Sequence, residues 1–285
     1  MKTVLVTGAS GQLGQCIQKL AEQENTIDWL FFDSSEIDIT SNLDLQACFT
    51  SKRIDYCINC AAYTNVEKAE IEKEKAFSIN AEAVKNLAIK CRENRTVLIH
   101  ISTDYVFDGK ADQPYKETDS TNPINVYGAS KLKGEAYIQE LLHEYFIFRT
   151  SWLYSEFGHN FFKTILNKVE ERSTINITPE QIGTPTNAND LAELILQVIL
   201  KKNGNSGLYH FSNAGETSWY GFAEQILKIS GNSDRVQLNS DSSYKTMAVR
   251  PEYSVMSKQK LIENLHYTPK SWQVSLLELY KSFKA

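Results

Sequence analysis

The sequence lacks several features that would place it in a specialised class of protein. No stretch approaches 18 consecutive apolar residues, and the N-terminal segment reaches Gly8 before a secretory apolar region forms, so we expect neither a membrane span nor a secretion signal. There is no dense block of Lys and Arg, and the net charge is −5, which argues against nucleic acid as a partner. We therefore predict a cytoplasmic protein that binds neither membrane nor nucleic acid.

Cysteine and histidine are too few and too scattered to suggest disulfides or a metal centre. The five cysteines, Cys16, Cys48, Cys57, Cys60 and Cys91, make no secreted disulfide framework, and reduced thiols are expected. Cys57 and Cys60 have redox-motif spacing, but their segment is typical of a buried strand, in which cysteine packs as a small hydrophobe. No histidine cluster has zinc-ligand spacing, so we expect no metal ligands.

The sequence does contain a regular alternation of short apolar runs and helical patterns. We predict strands at 3–7, 27–33, 54–61, 96–102 and 145–149, and helices up to 22, from 43, at 76–92 and at 127–144. Strand and helix in such succession indicate βαβ crossovers and a parallel sheet covered on both faces. The predicted fold is a doubly wound α/β domain of the Rossmann type.

After Thr150 the alternation changes. Helical patterns occupy 160–171, 189–202, 219–230 and 272–283, and strand-like runs occupy 174–177 and 208–211. We predict that 1–155 and about 180–212 form the Rossmann domain, and that about 156–179 and 213–285 form a smaller substrate domain over its ligand edge. A loop of roughly 20 residues, 104–125, is long enough to be functional or disordered.

Small residues mark the predicted cofactor site. Gly8, Gly11 and Gly14 follow the first strand and open a helix, with the Gly-x-x-Gly-x-x-Gly spacing of short-chain dehydrogenases. Such glycines let the backbone approach a pyrophosphate, which the helix N-terminus attracts; a plain tight turn is the alternative. Ala61 and Ala62 suit a flat cofactor passing over the third strand, and suit core packing equally. We assign to the cofactor site Gly8, Ser10, Gly11, Gln12, Leu13, Gly14, Ala61 and Ala62.

The second predicted strand ends at Asp33, about 20 residues beyond the last glycine, where a carboxylate can bind an adenosine ribose. A turn or cap aspartate is the alternative. A carboxylate there repels a 2′-phosphate, whereas Ser34 and Ser35 can donate hydrogen bonds to one, so the residues leave NADH and NADPH open. Asp38, further along the same segment, is assigned to the same site.

Tyr127 and Lys131 are four residues apart at the start of a predicted helix and therefore share a face. A nearby ammonium is expected to lower the pKa of the phenol, which makes tyrosine a usable general acid or base. Thr103 ends a predicted strand, where its hydroxyl can polarise a carbonyl, and Ser102 competes for that role because neighbouring strand residues face opposite sides. Asn80 is predicted to hold a water or a backbone group near the site, with a plain helix-face asparagine as the alternative.

Motifs along nearly the whole chain carry a family resemblance. They begin with Thr-Gly-x-x-Gly-Gln-Leu-Gly at Thr7, Asn-Cys-Ala-Ala-Tyr-Thr at Asn59, Lys-Ala-Glu at Lys68, Ser-Thr-Asp-Tyr-Val-Phe at Ser102, Asn-Val-Tyr-Gly at Asn125 and Arg-Thr-Ser-Trp at Arg149. They continue with Asn160-Phe161, Gly183-x-Pro185-Thr186, Gly-Leu-Tyr-His at Gly207 and Arg250-Pro251. Together these motifs resemble the dTDP-4-dehydrorhamnose reductases, which are extended short-chain dehydrogenases.

The resemblance implies reduction of the C4 ketone of dTDP-4-dehydro-L-rhamnose to dTDP-L-rhamnose by NADPH or NADH. Thr103, Tyr127 and Lys131 match the catalytic triad: Tyr127 supplies the proton, Lys131 holds the ribose, and Thr103 binds the carbonyl oxygen. Trp152 is expected to pack on the sugar and Arg250 to hold the diphosphate, although a core tryptophan and a surface arginine are the alternatives. The implied substrate-binding residues are Thr103, Asp104, Tyr105, Trp152, Asn160 and Arg250.

The chain departs from the resemblance at two positions. Cys16 stands where some family members have a glutamate in a magnesium-linked dimer interface, so no metal is expected to be required, and a homodimer is left open. Tyr105 stands where sugar-nucleotide dehydratases have the glutamate of a Thr-Asp-Glu run. This chain therefore lacks the glutamate that serves those enzymes in the elimination of water. The alternatives to the reductase are a reductase or epimerase of another nucleotide sugar and a non-catalytic nucleotide-binding subunit.

Overall fold

The computed structural model describes residues 1–171, 174–201, 204–243 and 246–284, and its strands and helices follow in chain order. The strands are β1 (Lys2–Thr7), β2 (Ile27–Phe32), β3 (Tyr56–Asn59), β4 (Val97–Thr103), β5 (Tyr145–Thr150), β6 (Leu153–Tyr154), β7 (Ile175–Ile177), β8 (Ile182–Gly183), β9 (Thr186–Asn187), β10 (Gly207–His210), β11 (Thr217–Ser218) and β12 (Leu238–Ser240). The helices are α1 (Gln12–Ala21), α2 (Asn42–Ser51), α3 (Val66–Ala69), α4 (Lys73–Phe77), α5 (Ala83–Asn94), α6 (Val126–Leu141), α7 (Phe161–Glu170), α8 (Ala188–Lys201), α9 (Trp219–Ile229), α10 (Gln259–Leu265) and α11 (Trp272–Lys284).

A six-stranded sheet forms the centre of the described chain, in the order β10-β5-β4-β3-β1-β2. Every neighbouring pair is parallel. The chain winds outwards from β1 in both directions, so a crevice opens at the carboxyl ends of the strands, where such sheets bind ligands. The doubly wound Rossmann sheet predicted from the sequence is confirmed.

Apolar side chains cover both faces of this sheet. Val4 and Val6 of β1 point into a core shared with α1 and α8, whereas Leu5 points into a core shared with α2, α5 and α6. All three side chains are fully buried. The alternation follows from the period-2 geometry of a strand that is covered on both faces.

A further core lies among the later elements. Phe222 of α9 is fully buried with side chains from α7 and α11, next to Tyr154 of β6. Leu261 and Leu265 of α10 pack instead into the core of the central sheet. The division into two domains at the expected boundaries stays a prediction.

Several local features differ from the sequence predictions. The helix predicted over 76–92 is divided by a π-helical turn, Ser78–Glu82, between α4 and α5. The 104–125 segment begins with a 3₁₀ turn, Asp104–Val106, and is held by Tyr115, which stacks on Phe107 at 4.1 Å and pairs with Met256. The end of the helix predicted to reach Lys202 lies outside the described residues. No helix in the described ranges is long and apolar enough to cross a bilayer.

Candidate active site

The glycine-rich turn after β1 forms a cradle in which Gly8 and Gly14 have no room for a side chain. Gly8 has φ +68, and a Cβ there would lie 2.6 Å from the backbone nitrogen of Ala61. A Cβ on Gly14 would lie 2.6 Å from the carbonyl oxygens of Gly8 and Ala9. Gly11 is the N-cap of α1, and no side chain caps that helix end. The cradle therefore fits a dinucleotide pyrophosphate, which backbone N–H groups and the helix dipole would attract.

A cavity of about 610 Å³ lies beyond this cradle, at the carboxyl ends of β1, β3, β4 and β5. Residues predicted to be catalytic, cofactor-binding or substrate-binding line it: Ser10, Gly11, Gln12, Leu13, Ala62, Thr103, Asp104, Tyr105, Tyr127, Lys131 and Trp152. One chamber thus joins the cofactor cradle to the three proposed catalytic side chains. The predicted residues that are not among its lining residues are Gly8, Gly14, Asp33, Asp38, Ala61, Asn160 and Arg250.

Thr103 and Tyr127 meet in this cavity. Thr103, the last residue of β4, donates from its hydroxyl to Asp104 Oδ1 at 3.0 Å and is hydrogen-bonded to the Tyr127 phenol. Asn125 caps α6 by accepting from the Gly128 backbone N–H at 2.8 Å, which fixes the helix start that carries Tyr127. The Tyr127 ring also packs edge-to-face against Tyr105, with centroids 5.8 Å apart.

The expected lowering of the Tyr127 pKa by Lys131 is wrong for this structure. Burial raises the pKa of Tyr127 to about 12, Thr103 partly opposes this by hydrogen bonding, and the Asp104 carboxylate adds to the rise. The Lys131 ammonium is committed elsewhere, since Nζ donates to the Ile101 carbonyl at 2.6 Å. Tyr127 therefore keeps its proton at neutral pH, as an acid in a reduction must.

Lys131 is almost fully buried beside a histidine that the sequence analysis did not select. Its Nζ lies 3.3 Å from His100 Nε2, and His100 Nδ1 lies 3.1 Å from the Asn59 side-chain nitrogen. Burial lowers the pKa of Lys131 to about 8, with Glu135 and Cys60 acting in the opposite direction. The sequence signal for His100 was a lone imidazole directly after the apolar run of β4.

The competition between Ser102 and Thr103 has a clear geometric answer. Ser102 donates to the buried carboxylate of Glu135, which also forms an ion pair with Arg149 at 2.6 Å. Both residues line the cavity, but the Ser102 hydroxyl is engaged by Glu135, whereas the Thr103 hydroxyl is bonded to Tyr127. Asn80 binds a backbone group, as one of its alternatives predicted: its amide accepts from Tyr63 N at 2.8 Å and donates to Tyr63 O at 3.0 Å.

A tryptophan pair forms part of the cavity wall. Trp152 has φ +46, unusual for a bulky residue, and stacks on Trp219 with centroids 3.7 Å apart. Both indoles line the cavity. Backbone strain of this kind is concentrated at ligand sites. Sequence reasoning missed Trp219, because its helical pattern resembles that of any amphipathic core helix.

Asn160 and Arg250 lie outside the cavity lining. Asn160 caps α7 and donates to Gln12 Oε1 at 2.7 Å, so it connects α7 to the cofactor cradle. Arg250 pairs with Glu67 of α3 at 2.9 Å and lowers the pKa of Tyr105, against the larger upward effects of burial and Asp104. The segment around Arg250 is thereby held next to the cavity wall.

Two acidic residues after β2 differ in position. Asp33 lines a second cavity of about 370 Å³ with Ala9 and Ser10 of the cradle. Asp38 is exposed, is absent from that lining, and accepts from Thr40 N and Oγ1, both at 2.8 Å. Within the described ranges, no group of three or more His, Cys, Asp or Glu side chains is arranged to hold a metal ion.

The parallel sheet, the cradle and the Thr103, Tyr127 and Lys131 cavity define an oxidoreductase of the short-chain dehydrogenase class. A family model described as the RmlD substrate binding domain matches residues 1–285. The dTDP-4-dehydrorhamnose reductase of Aggregatibacter actinomycetemcomitans is 36% identical, with 97% of each chain covered. That of Escherichia coli K12 is also 36% identical, covering 96% of this chain and 95% of that one. The chain belongs to the dTDP-4-dehydrorhamnose reductase family.

Solved structures agree with this assignment. A dTDP-4-dehydrorhamnose reductase from Clostridium acetobutylicum superposes with a TM-score of 0.94 at 37% identity, covering 99% of this chain and 100% of that one. The Bacillus anthracis enzyme in complex with NADP gives 0.93 at 38% identity with the same coverage. A UDP-glucose 4-epimerase from Thermus thermophilus, 18% identical with a TM-score of 0.83 and 99% coverage of both chains, shares the fold.

Proposed function

We propose that this chain reduces the C4 ketone of dTDP-4-dehydro-L-rhamnose to dTDP-L-rhamnose with NADH or NADPH. The observation that carries the proposal is the single cavity in which Thr103, Tyr127 and Lys131 face the glycine cradle. The full-length match to reductases of this name supports the choice of substrate. The reaction is assigned to the cytoplasm, and a homodimer stays a prediction to be checked by sedimentation.

The nicotinamide cofactor would be held by the cradle, with Asp33 at its adenosine ribose, Ala61 and Ala62 against its flat surface, and Lys131 at its nicotinamide ribose. When bound, it supplies the hydride that is added to the sugar at C4. The cradle would present backbone N–H groups to the pyrophosphate, and Gly8 and Gly14 allow this tight turn because a Cβ at either position would collide with neighbouring backbone. The assignments of Asp38 and of Ser10 to Leu13 to this site remain part of the proposal.

Tyr127 and Thr103 would act on the carbonyl oxygen. Thr103 would turn its hydroxyl proton from Asp104 Oδ1 to this oxygen, and Tyr127 would transfer its phenolic proton to the oxygen as negative charge develops there. One hydride at carbon and one proton at oxygen complete the reduction of the ketone. The raised pKa of Tyr127 keeps that proton available across the neutral range.

Trp152 would pack on the apolar face of the deoxysugar, with Asp104, Tyr105 and Asn160 around the same ligand and Arg250 at the diphosphate.

We expect Arg250→Ala to weaken dTDP binding by about 1.5–3 kcal/mol, the range for a charged hydrogen bond, and to leave nicotinamide binding unchanged. Calorimetric titration with each ligand separates the two effects. Arg53→Ala, at an arginine whose side chain is 89% exposed, is the matched control. Unchanged dTDP affinity in Arg250→Ala would remove Arg250 from the site.

The test of the reaction is cofactor oxidation with dTDP-4-dehydro-L-rhamnose, in the presence of a chelator because no metal requirement is expected. The relatives include a dTDP-4-keto-6-deoxy-D-glucose reductase from Streptomyces niveus, 34% identical, so that ketosugar and UDP and GDP ketosugars are the comparison substrates. Faster turnover of any of these would replace the proposed substrate. Cofactor binding without turnover of any sugar would favour the non-catalytic alternative.

A further inference from the structure

Three buried polar side chains lie side by side at the carboxyl end of the central sheet. The strand register pairs Thr7 of β1 with Asn59 of β3, and Asn59 with His100 of β4. Thr7 Oγ1 lies 2.8 Å from Asn59 Oδ1, and Asn59 Nδ2 lies 3.1 Å from His100 Nδ1. Buried polar groups are costly unless they are hydrogen-bonded, and this row of side chains ends on Lys131 of α6.

We propose that His100 is a positioning residue for Lys131, which it holds by accepting a hydrogen bond at Nε2 while Nδ1 carries the ring proton. Lys131 Nζ lies 3.3 Å from His100 Nε2 and donates to the Ile101 carbonyl at 2.6 Å. Two of the three N–H bonds of the ammonium are then used, and the third can face the cavity that Lys131 lines. The inference rests on the proposed function, since it concerns the residue assigned to the nicotinamide ribose.

The ring nitrogens of His100 can be assigned from the groups around them. Burial and the Lys131 charge hold the pKa of His100 well below its usual value, so the ring is neutral. An ammonium can only donate, so Nε2 accepts and Nδ1 carries the proton. The Asn59 amide then turns by 180°, so that its oxygen accepts from Nδ1 and its nitrogen donates to Thr7 Oγ1. The Thr7 hydroxyl can accept as well as donate, and it therefore bonds to either orientation of the amide.

The same row also fits an uncharged Lys131. In the orientation that the structure shows, Asn59 Nδ2 donates to His100 Nδ1, and Nε2–H would donate to the Lys131 amine. The tautomer of His100 thus follows the charge of Lys131, whose pKa is lowered to about 8 by burial. The other titratable groups that act on Lys131 are Glu135 on the same helix and Cys60 after β3, and both favour the ammonium.

The first test identifies the tautomer in the unchanged chain. In protein labelled with ¹⁵N in its histidine rings, NMR separates a ring nitrogen that carries a proton from one that does not, and the His100 signals are those lost in His100→Gln. We expect Nδ1–H at neutral pH and a change to Nε2–H as the pH rises past the Lys131 pKa of about 8. Nε2–H or a doubly protonated ring at neutral pH, or a tautomer that does not change over this range, would overturn the proposal.

Two variants separate the acceptor from the bulk of the ring. His100→Phe keeps a ring and removes the acceptor, whereas His100→Gln keeps an amide oxygen at the reach of Nε2. Loss of a hydrogen bond to a charged group should lower the Lys131 pKa, so the pH at which cofactor binding is half lost should fall by about one to two units in His100→Phe. His100→Gln should restore most of that shift. The midpoint of a fluorescence titration against pH does not depend on the fraction of folded protein, so partial unfolding does not hide the result.

His210 provides the matched control. It is also fully buried, with Nε2 3.4 Å from Arg149 Nη1 and Nδ1 3.1 Å from the Tyr115 carbonyl oxygen, so the same tautomer is expected beside a different cation. His210→Phe should leave the midpoint unchanged, and an equal fall there would attribute the effect to the loss of any buried histidine. An unchanged midpoint in His100→Phe would reject this inference alone, whereas normal cofactor binding without turnover of the ketosugar would reject the proposed reaction alone.

Discussion

Replacing Tyr127 by phenylalanine should separate catalysis from binding. The substitution keeps the ring that packs against Tyr105 at 5.8 Å and removes the hydroxyl that meets Thr103. Loss of that one hydrogen bond should cost about 1 kcal/mol of folding stability. Loss of a general acid lowers rates by roughly 10²- to 10⁴-fold, which is about 2.7–5.4 kcal/mol of transition-state stabilisation at 1.36 kcal/mol per tenfold. The effect on kcat should therefore greatly exceed the effect on stability.

The assay is the initial rate of nicotinamide oxidation with saturating ketosugar, alongside cofactor titration and urea unfolding of the same preparation. Tyr137→Phe is the control, because Tyr137 lies on the same helix, α6, and its hydroxyl bonds to Glu82 at 2.9 Å on the surface. The control should retain its rate. A Tyr127→Phe protein that folds, binds cofactor and turns over within a few-fold of the unchanged chain would refute the assignment of Tyr127 as the acid.

Three further predictions concern the cradle, the pH profile and the buried ion pair. Gly8→Ala should abolish measurable cofactor binding in a fluorescence titration, because its Cβ would collide with the Ala61 backbone; retained affinity would contradict the cradle assignment. Lys131 has a pKa lowered to about 8 and is charged below that pH, so kcat/KM for the cofactor should fall as pH rises through about 8, and a flat profile well beyond it would remove the ammonium from cofactor binding. Arg149→Met leaves the Glu135 charge buried and unpaired, and should lower the free energy of unfolding by about 3–5 kcal/mol in urea melts; a loss below about 1 kcal/mol would contradict this.

Most of the fold could be predicted from the sequence because a parallel sheet imposes a strong pattern. Strands such as β1 are covered on both faces and become continuous apolar runs, and the helices between them have their own periodicity. Pairs of very short strands, such as β8 with β11, could not be predicted, since a strand of two residues shows no alternation of apolar and polar side chains. The π-helical turn before α5 could not be predicted either, because its residues continue an ordinary helical pattern.

The site was predictable where chemistry depends on local spacing. Tyr127 and Lys131 share one turn of a helix, so their proximity to each other is encoded in four residues of sequence. The pKa of Tyr127 depends instead on burial by residues distant in the chain, and its predicted direction was wrong. His100 and Trp219 could not be selected for the same reason: what distinguishes them is the side chain that tertiary structure places beside each one.

The position of the transferred hydride tests the central claim most directly. The enzyme is supplied with dTDP-4-dehydro-L-rhamnose and with nicotinamide cofactor carrying deuterium at the transferring position of C4, and the product sugar is analysed by mass spectrometry and NMR. We predict dTDP-L-rhamnose with one deuterium, located at C4 of the sugar, formed by the unchanged chain and formed roughly 10²- to 10⁴-fold more slowly by Tyr127→Phe. Product with no deuterium at C4, or no reduced sugar at all, would contradict the account.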